Sequence, residues 1–198
     1  MSRGIRIQLV PCEGHHLEDL HRILNQPGNV VRWRFHGALL ASEEFVRSLQ
    51  AEDSQTFVAI ERGTSRVLGL ACTYGVNLRH GYAYIAVAVD ESVLGGGYGA
   101  EAGALLISYL FETFPFRKLY MEIPDFTVAS VEGRMTDAFQ KEGVLRSHFL
   151  AMGSYWDTHI FAVYREQWLL QVLSGQTPTA DDLQVIYVAD DARAQVES

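Results

Sequence analysis

Residues Leu94 to Ala102 read Leu-Gly-Gly-Gly-Tyr-Gly-Ala-Glu-Ala and join an apolar strand to a long amphipathic helix, which restricts the chain more than any other segment. Glycines at 95, 96, 97 and 99 permit a tight bend and let a ligand approach the backbone without side-chain obstruction. A helix that opens on such a turn aims several N–H groups outward at the positive end of its dipole. That setting suits an anion, most often a pyrophosphate. The competing reading is a turn that uses glycine for steric reasons alone. The flanks favour a ligand. Upstream, Tyr82 to Val89 is apolar on both alternating faces, as expected of a strand covered on both sides. Downstream, Tyr98, Ala102, Leu105, Leu106, Tyr109 and Leu110 recur at helical spacing and form one buried stripe. The mid-chain position and the Gly97-x-Gly99 spacing differ from the dinucleotide-binding turn, and a Gly-Lys-Ser/Thr loop is absent.

With 198 residues, 48% apolar and 20% charged, the chain can bury one substantial core. Residues 1–174 are expected to form one domain, and 175–198 a C-terminal extension with an edge strand at Val185–Val188 followed by a loose acidic tail. No run of about 18 apolar residues and no signal-peptide core is present, so the expectation is a cytoplasmic protein with no membrane partner. Cys12 and Cys72 lack metal-ligand spacing and read as small apolar residues, a disulfide being the minor alternative. His15 and His16 are adjacent and point apart on a helix, which argues against a metal site. A formal charge of −8 argues against a sequence-independent nucleic-acid binder and is compatible with a cationic acceptor, although acidity can serve solubility alone.

Alternation predicts a strand from Ile5 to Val10, and Leu17, Leu20, Ile23 and Leu24 mark a helix that ends near Pro27-Gly28. Ser42, Glu43 and Glu44 open a second helix with Phe45, Val46 and Leu49 on its apolar side. Strands at 56–60 and 67–74 flank the turn Arg62-Gly63-Thr64-Ser65. After the glycine loop and its helix, Pro115 ends the helix and Lys118 to Ile123 reads as a strand. A further helix is expected to run to about Glu142, burying Val131, Met135, Ala138 and Phe139 and ending on Gly143 as a left-handed cap. Strands at 148–152 and 159–164 and a short helix from about Glu166 to Leu173 complete the order.

This order resembles the GNAT superfamily of acyl-coenzyme A transferases over roughly residues 5 to 170. Gly95 to Ala102 resembles the Gly-x-Gly-Tyr-Gly/Ala-x-Glu-Ala loop of its ribosomal-protein N-terminal acetyltransferase-like branch. Phe139 to Val144 resembles that branch's Glu-Lys-x-Gly-Phe helix end, and Asp157 with Tyr164 to Trp168 its closing Asp and Glu-x-Trp pattern. The resemblance implies an α+β, three-layer αβα fold: a mixed, mostly antiparallel sheet, helices on both faces and a V-shaped split beside the glycine loop. It implies acetyl-coenzyme A, or another acyl-coenzyme A, as co-substrate and no metal. Backbone of Gly95, Gly96, Gly97, Tyr98, Gly99 and Ala100 would hold the pyrophosphate, and the main chain of Val87, Ala88 and Val89 would pair with pantetheine.

The expected reaction is direct transfer of an acetyl group to a primary amine, a small molecule being favoured slightly over a protein N-terminus. The alternatives are a non-catalytic acyl-coenzyme A sensor or assembly protein, and a transferase for a longer acyl donor, for which Ala86 and Ala88 leave room. The sequence departs from the family at Leu94, where Arg or Gln is usual. It departs also at Tyr84, the strand position where many relatives carry a Glu base, and at Glu132 and Met135, on which the usual Asn and Ser fall. A tyrosine is a poor base at pH 7. Glu132, Tyr84 and His80 are the catalytic candidates, each with a structural alternative: a helix-start acid, a packed aromatic and a solvated turn histidine. Trp33, Arg34, Phe35 and Asp157 are the acceptor-binding candidates, and a homodimer through Val185–Val188 is left open.

Overall fold

The computed structural model describes residues 6–33, 37–39, 41–49, 54–133 and 135–175. Among them seven strands form one sheet: β1 (Ile7–Pro11), β2 (Thr56–Glu61), β3 (Val67–Asn77), β4 (Tyr82–Val89), β5 (Lys118–Pro124), β6 (Phe139–Ala151) and β7 (Ser154–Tyr164). Their spatial order is β1-β2-β3-β4-β5-β7-β6. Every neighbouring pair is antiparallel except β4 with β5. The helices are α1 (Leu17–Leu24), α2 (Pro27–Arg32), α3 (Ser42–Leu49), α4 (Tyr98–Thr113), α5 (Asp125–Glu132) and α6 (Arg165–Leu173). This is the α+β arrangement expected from the sequence.

Helices cover both faces of the sheet because its strands are apolar on both. Leu105, Leu106, Leu110 and Phe111 of α4 and Trp168 of α6 pack against Phe57, Leu68, Ile85 and Leu119. On the opposite face Leu20, Ile23 and Leu24 of α1 and Phe45 of α3 pack against Val58, Leu70, Cys72 and Ala88. Arg165 ties the layers together by donating to the carbonyls of Phe111, Phe114 and Phe116, which lie at and beyond the C-terminal end of α4. Cys72 is buried, Cys12 half-buried, and both are free thiols.

The expected segmentation holds from β2 to β5, and five readings are corrected. Pro27 does not close a helix; it opens α2 at the first position, where its missing N–H costs nothing. The helix expected to reach Glu142 stops at Glu132, and residues 139–142 begin β6. Gly143 is therefore no helix cap, but lies where the β6–β7 register shifts. Strand β6 does not end on Met152: Met152 and Gly153, both left-handed, make a two-residue hairpin turn. His15 and His16 share a 3-10 turn and do not point apart, since their ring centroids are 3.8 Å from each other. The edge strand and tail expected at 185–198 lie outside the described residues.

Candidate active site

Parallel pairing of β4 with β5 covers only Tyr82–Lys118, Ala83–Leu119 and Tyr84–Tyr120. Both strands continue beyond that point, β4 to Val89 and β5 to Pro124, without pairing to each other, so the sheet splits. A cavity of about 930 Å³ runs along the split and reaches both faces of the sheet. The free edge of β4 has a definite phase. Asp90 donates its N–H to Leu68 O on β3, so Ala88, two residues earlier, also directs its polar groups to β3. Ala88 thus holds the sheet together and is not part of the open edge, contrary to expectation. Val87 and Val89, one residue out of phase, turn their backbone into the split. The Val89 carbonyl accepts Nδ2 of Asn29 at 2.9 Å, which leaves Val87 presenting both N–H and C=O to the cleft.

At the mouth of the split, residues Glu91–Val93 form one 3-10 turn before the glycine loop. Gly95 and Gly97 have φ of +80° and +89°, which explains glycine at both positions. Gly97 is the N-cap of α4, and no side chain caps that helix start. The first N–H groups of an α-helix have no intrahelical partner, so those of Gly97, Tyr98, Gly99 and Ala100 point out of the helix end beside the cavity. Gly96 differs, because its N–H donates back to Val93 O at 3.2 Å. Leu94 is 48% exposed on the rim.

A polar network holds the helical layer against this loop. Arg22 of α1 donates to Asp90 at 2.8 Å, and Asp90 accepts Ser92 N–H at 2.9 Å. Burial raises the Asp90 pKa, but these two donors outweigh it and hold the carboxyl well below the usual carboxylate range. Glu91 accepts Gly28 N–H at 2.7 Å and gives its own N–H to Gln26 Oε1 at 2.9 Å. Asn29, buried, donates to both Ile23 O and Val89 O. These hydrogen bonds tie the α1–α2 junction to the end of β4 and to the turn that precedes the glycine loop.

On the α1–α3 face, tyrosines gather where the strands part. The Tyr84 ring lies 5.2 Å from those of Tyr74 and Tyr120, centroid to centroid. Glu122 follows Tyr120 by two residues on β5, so it shares that face just beyond the last β4–β5 pair. Its Oε2 accepts the Tyr74 hydroxyl at 3.0 Å, and it lines the cavity. Burial, with the nearby Glu122 charge, pushes the Tyr84 hydroxyl above the ordinary tyrosine value, so it stays protonated and cannot serve as a base.

The other expected site residues fall in different places. Trp33, 5% exposed, lines the cavity, whereas Arg34 and Phe35 lie outside the described residues. His80 is exposed in the turn before β4, seven residues or about 23 Å of strand from Val87. Glu132 sits at the C-terminal end of α5, exposed and not itself a lining residue, although its neighbours Ser130 and Val131 line the cavity. Asp157 accepts Ser147 N–H and Arg146 Nη1 on the β6–β7 hairpin and so fixes a bulge, outside the cavity. Glu122 had no local signal in the sequence, since its position depends on the β4–β5 register.

Three comparisons bear on this geometry. The family model described as acetyltransferase (GNAT) domain matches residues 6–132. A prophage-derived uncharacterised N-acetyltransferase, YokL, of Bacillus subtilis is 25% identical over 127 residues, covering 64% of this chain and 71% of its own. An uncharacterised N-acetyltransferase, p20, of Bacillus licheniformis is 24% identical over 126 residues, with 63% and 71% covered. Among solved structures, spermidine N-acetyltransferase of Vibrio cholerae in complex with CoA and spermine superposes with a TM-score of 0.74 at 18% identity, covering 83% of this chain and 98% of that one.

Proposed function

The chain belongs to the acetyltransferase (GNAT) domain family, and from that premise we propose that its cleft transfers an acetyl group from acetyl-coenzyme A directly to a primary amine, with Glu122 as proton acceptor. The observation that carries this reading is the meeting of three features at one split: an uncapped helix start, a free strand edge and a carboxylate. The residues fit the co-substrate. The N–H groups of Gly97, Tyr98, Gly99 and Ala100 suit a pyrophosphate, and the Val87 C=O suits an amide N–H of pantetheine. Bound there, acetyl-coenzyme A supplies a thioester carbonyl open to attack by an amine.

The chain contributes three further things. Glu122 draws a cationic amine to the split and takes its proton, and its hydrogen bond from Tyr74 fixes the carboxylate. The Val87 N–H is placed to donate to a carbonyl oxygen that gains charge. Tyr84, kept protonated, can return a proton to the departing sulfur. Two substrates held at opposite ends of one split need no covalent enzyme intermediate.

A small-molecule acceptor is our choice over a protein N-terminus, with Trp33 and Tyr74 on the cavity wall along with Glu122. The motif likeness supports the ribosomal-protein N-terminal acetyltransferase-like branch. A cytoplasmic protein that acts as a homodimer completes the proposal. The test is calorimetric titration with acetyl-coenzyme A, followed by coenzyme A release on addition of an amine. Saturable binding with amine-dependent turnover supports transfer; binding without turnover supports a sensor.

A further inference from the structure

Resting on the transfer reading, we propose that the acceptor is a primary amine whose flat apolar body ends in a neutral hydroxyl, and that Thr158 of β7 is the specificity residue that pairs with this hydroxyl. Thr158 is 3% exposed and lines the cavity, and its Oγ1 is buried with no hydrogen-bond partner among the described residues. A buried hydroxyl without a partner is costly and uncommon, so one on a substrate cavity points to a group that arrives with the substrate.

The register places this hydroxyl relative to Glu122. Thr158 pairs with Pro124, and Glu122 lies two residues earlier on β5, on the same face of the sheet. Two residues of strand and one inter-strand step separate the two Cα atoms by roughly 8 Å. Trp33, Tyr74 and Phe149 line the same cavity, a set of rings suited to a flat body between the two ends. His148, exposed on β6, stands at the rim of that part.

Charge decides the nature of the distal group. Among the described residues that line the cavity, Glu122 carries the carboxylate. A second ammonium group at Thr158 would be buried without a counter-charge, whereas a neutral hydroxyl can exchange a hydrogen bond with Oγ1 at no such penalty. An aryl-alkyl amine with a terminal hydroxyl meets the length, the apolar middle and the charge together.

Tyramine and phenethylamine are the probes, since they differ only in that hydroxyl. Wild-type protein should use tyramine with a kcat/KM roughly tenfold or more above that of phenethylamine. Thr158→Val, which keeps the shape, should bring the kcat/KM for tyramine down to or below that for phenethylamine in the same variant. Thr158→Ser should restore the preference, which separates hydrogen bonding from packing. Equal use of the two amines by wild type, or a preference that survives in Thr158→Val, overturns the proposal. Turnover of neither amine by protein that binds acetyl-coenzyme A overturns this acceptor class; failure to bind acetyl-coenzyme A overturns the transfer reading instead.

Discussion

Tyr74 donates its hydroxyl to Glu122 Oε2 at 3.0 Å, a contact that reaches from β3 over the end of the β4–β5 pairing to β5. It joins the carboxylate to the tyrosine cluster and, on the proposed reading, fixes where an amine loses its proton. A positioned general base contributes about 10² to 10⁴ in rate. Glu122→Gln should therefore lower kcat roughly a hundredfold or more while leaving acetyl-coenzyme A affinity unchanged by calorimetry. Tyr74→Phe should lower kcat only several-fold, because the carboxylate remains, and Glu132→Gln should leave turnover unaltered. Loss of activity in Glu132→Gln with full activity in Glu122→Gln would reverse the assignment.

Gly99 offers a clean test of the cradle. A Cβ at this position would meet nothing closer than the Val89 methyls at 3.7 and 3.9 Å, an ordinary contact, and its φ lies outside the left-handed region. An acidic side chain in a helix's first turn is also favourable to the helix. Gly99→Glu should fold with a melting temperature close to wild type, yet place a carboxylate where the pyrophosphate is expected. Acetyl-coenzyme A binding should fall by at least about a hundredfold. Undiminished binding in the folded variant would remove the glycine loop from the site.

Much of this was legible in the chain because local signals coincide there. Tyr82–Val89 and the helix start at Tyr98 follow from an apolar run, a glycine cluster and helical spacing that agree with one another. Where signals are not local, reading failed. Strand β6 is a sheet edge, exposed along most of its length, so Gln140, Lys141 and Glu142 show no alternation and continue a helical pattern. Misreading that strand lengthened α5 and placed Glu132 at the wrong end of its helix. Glu122 entered the site through a register between strands more than 30 residues apart, which no spacing within either strand reveals.

Asp90 links acid stability to the same loop. Its side chain is 6% exposed, and its folded pKa is depressed by Arg22 and Ser92 despite burial. A depressed carboxylate contributes stability that is complete above the unfolded value, about 3.9, and is lost as pH falls through the folded value. Asp90→Asn should cost about 1–3 kcal/mol at pH 7. The gap in urea midpoint between wild type and variant should narrow at pH 3, where the ionised form no longer favours the fold fully. A gap of constant size would show that shape and not charge holds the junction.

Leu94 marks the place where the donor site can be improved. It is 48% exposed on the cavity rim and directly precedes glycines that line the cavity, yet it supplies no charge. An arginine there would reach a bound pyrophosphate with a charge-assisted hydrogen bond, weakened by solvent at so exposed a position. Leu94→Arg should tighten acetyl-coenzyme A binding by about threefold to tenfold at low salt, a gain of about 1 kcal/mol. Most of that gain should vanish at 0.5 M salt, and kcat should not change, because the new group lies at the phosphate end of the cleft and Glu122 at the other. A gain that persists at high salt would mean that the arginine stem packs on the cofactor, and no gain at either salt would place the pyrophosphate beyond the reach of residue 94.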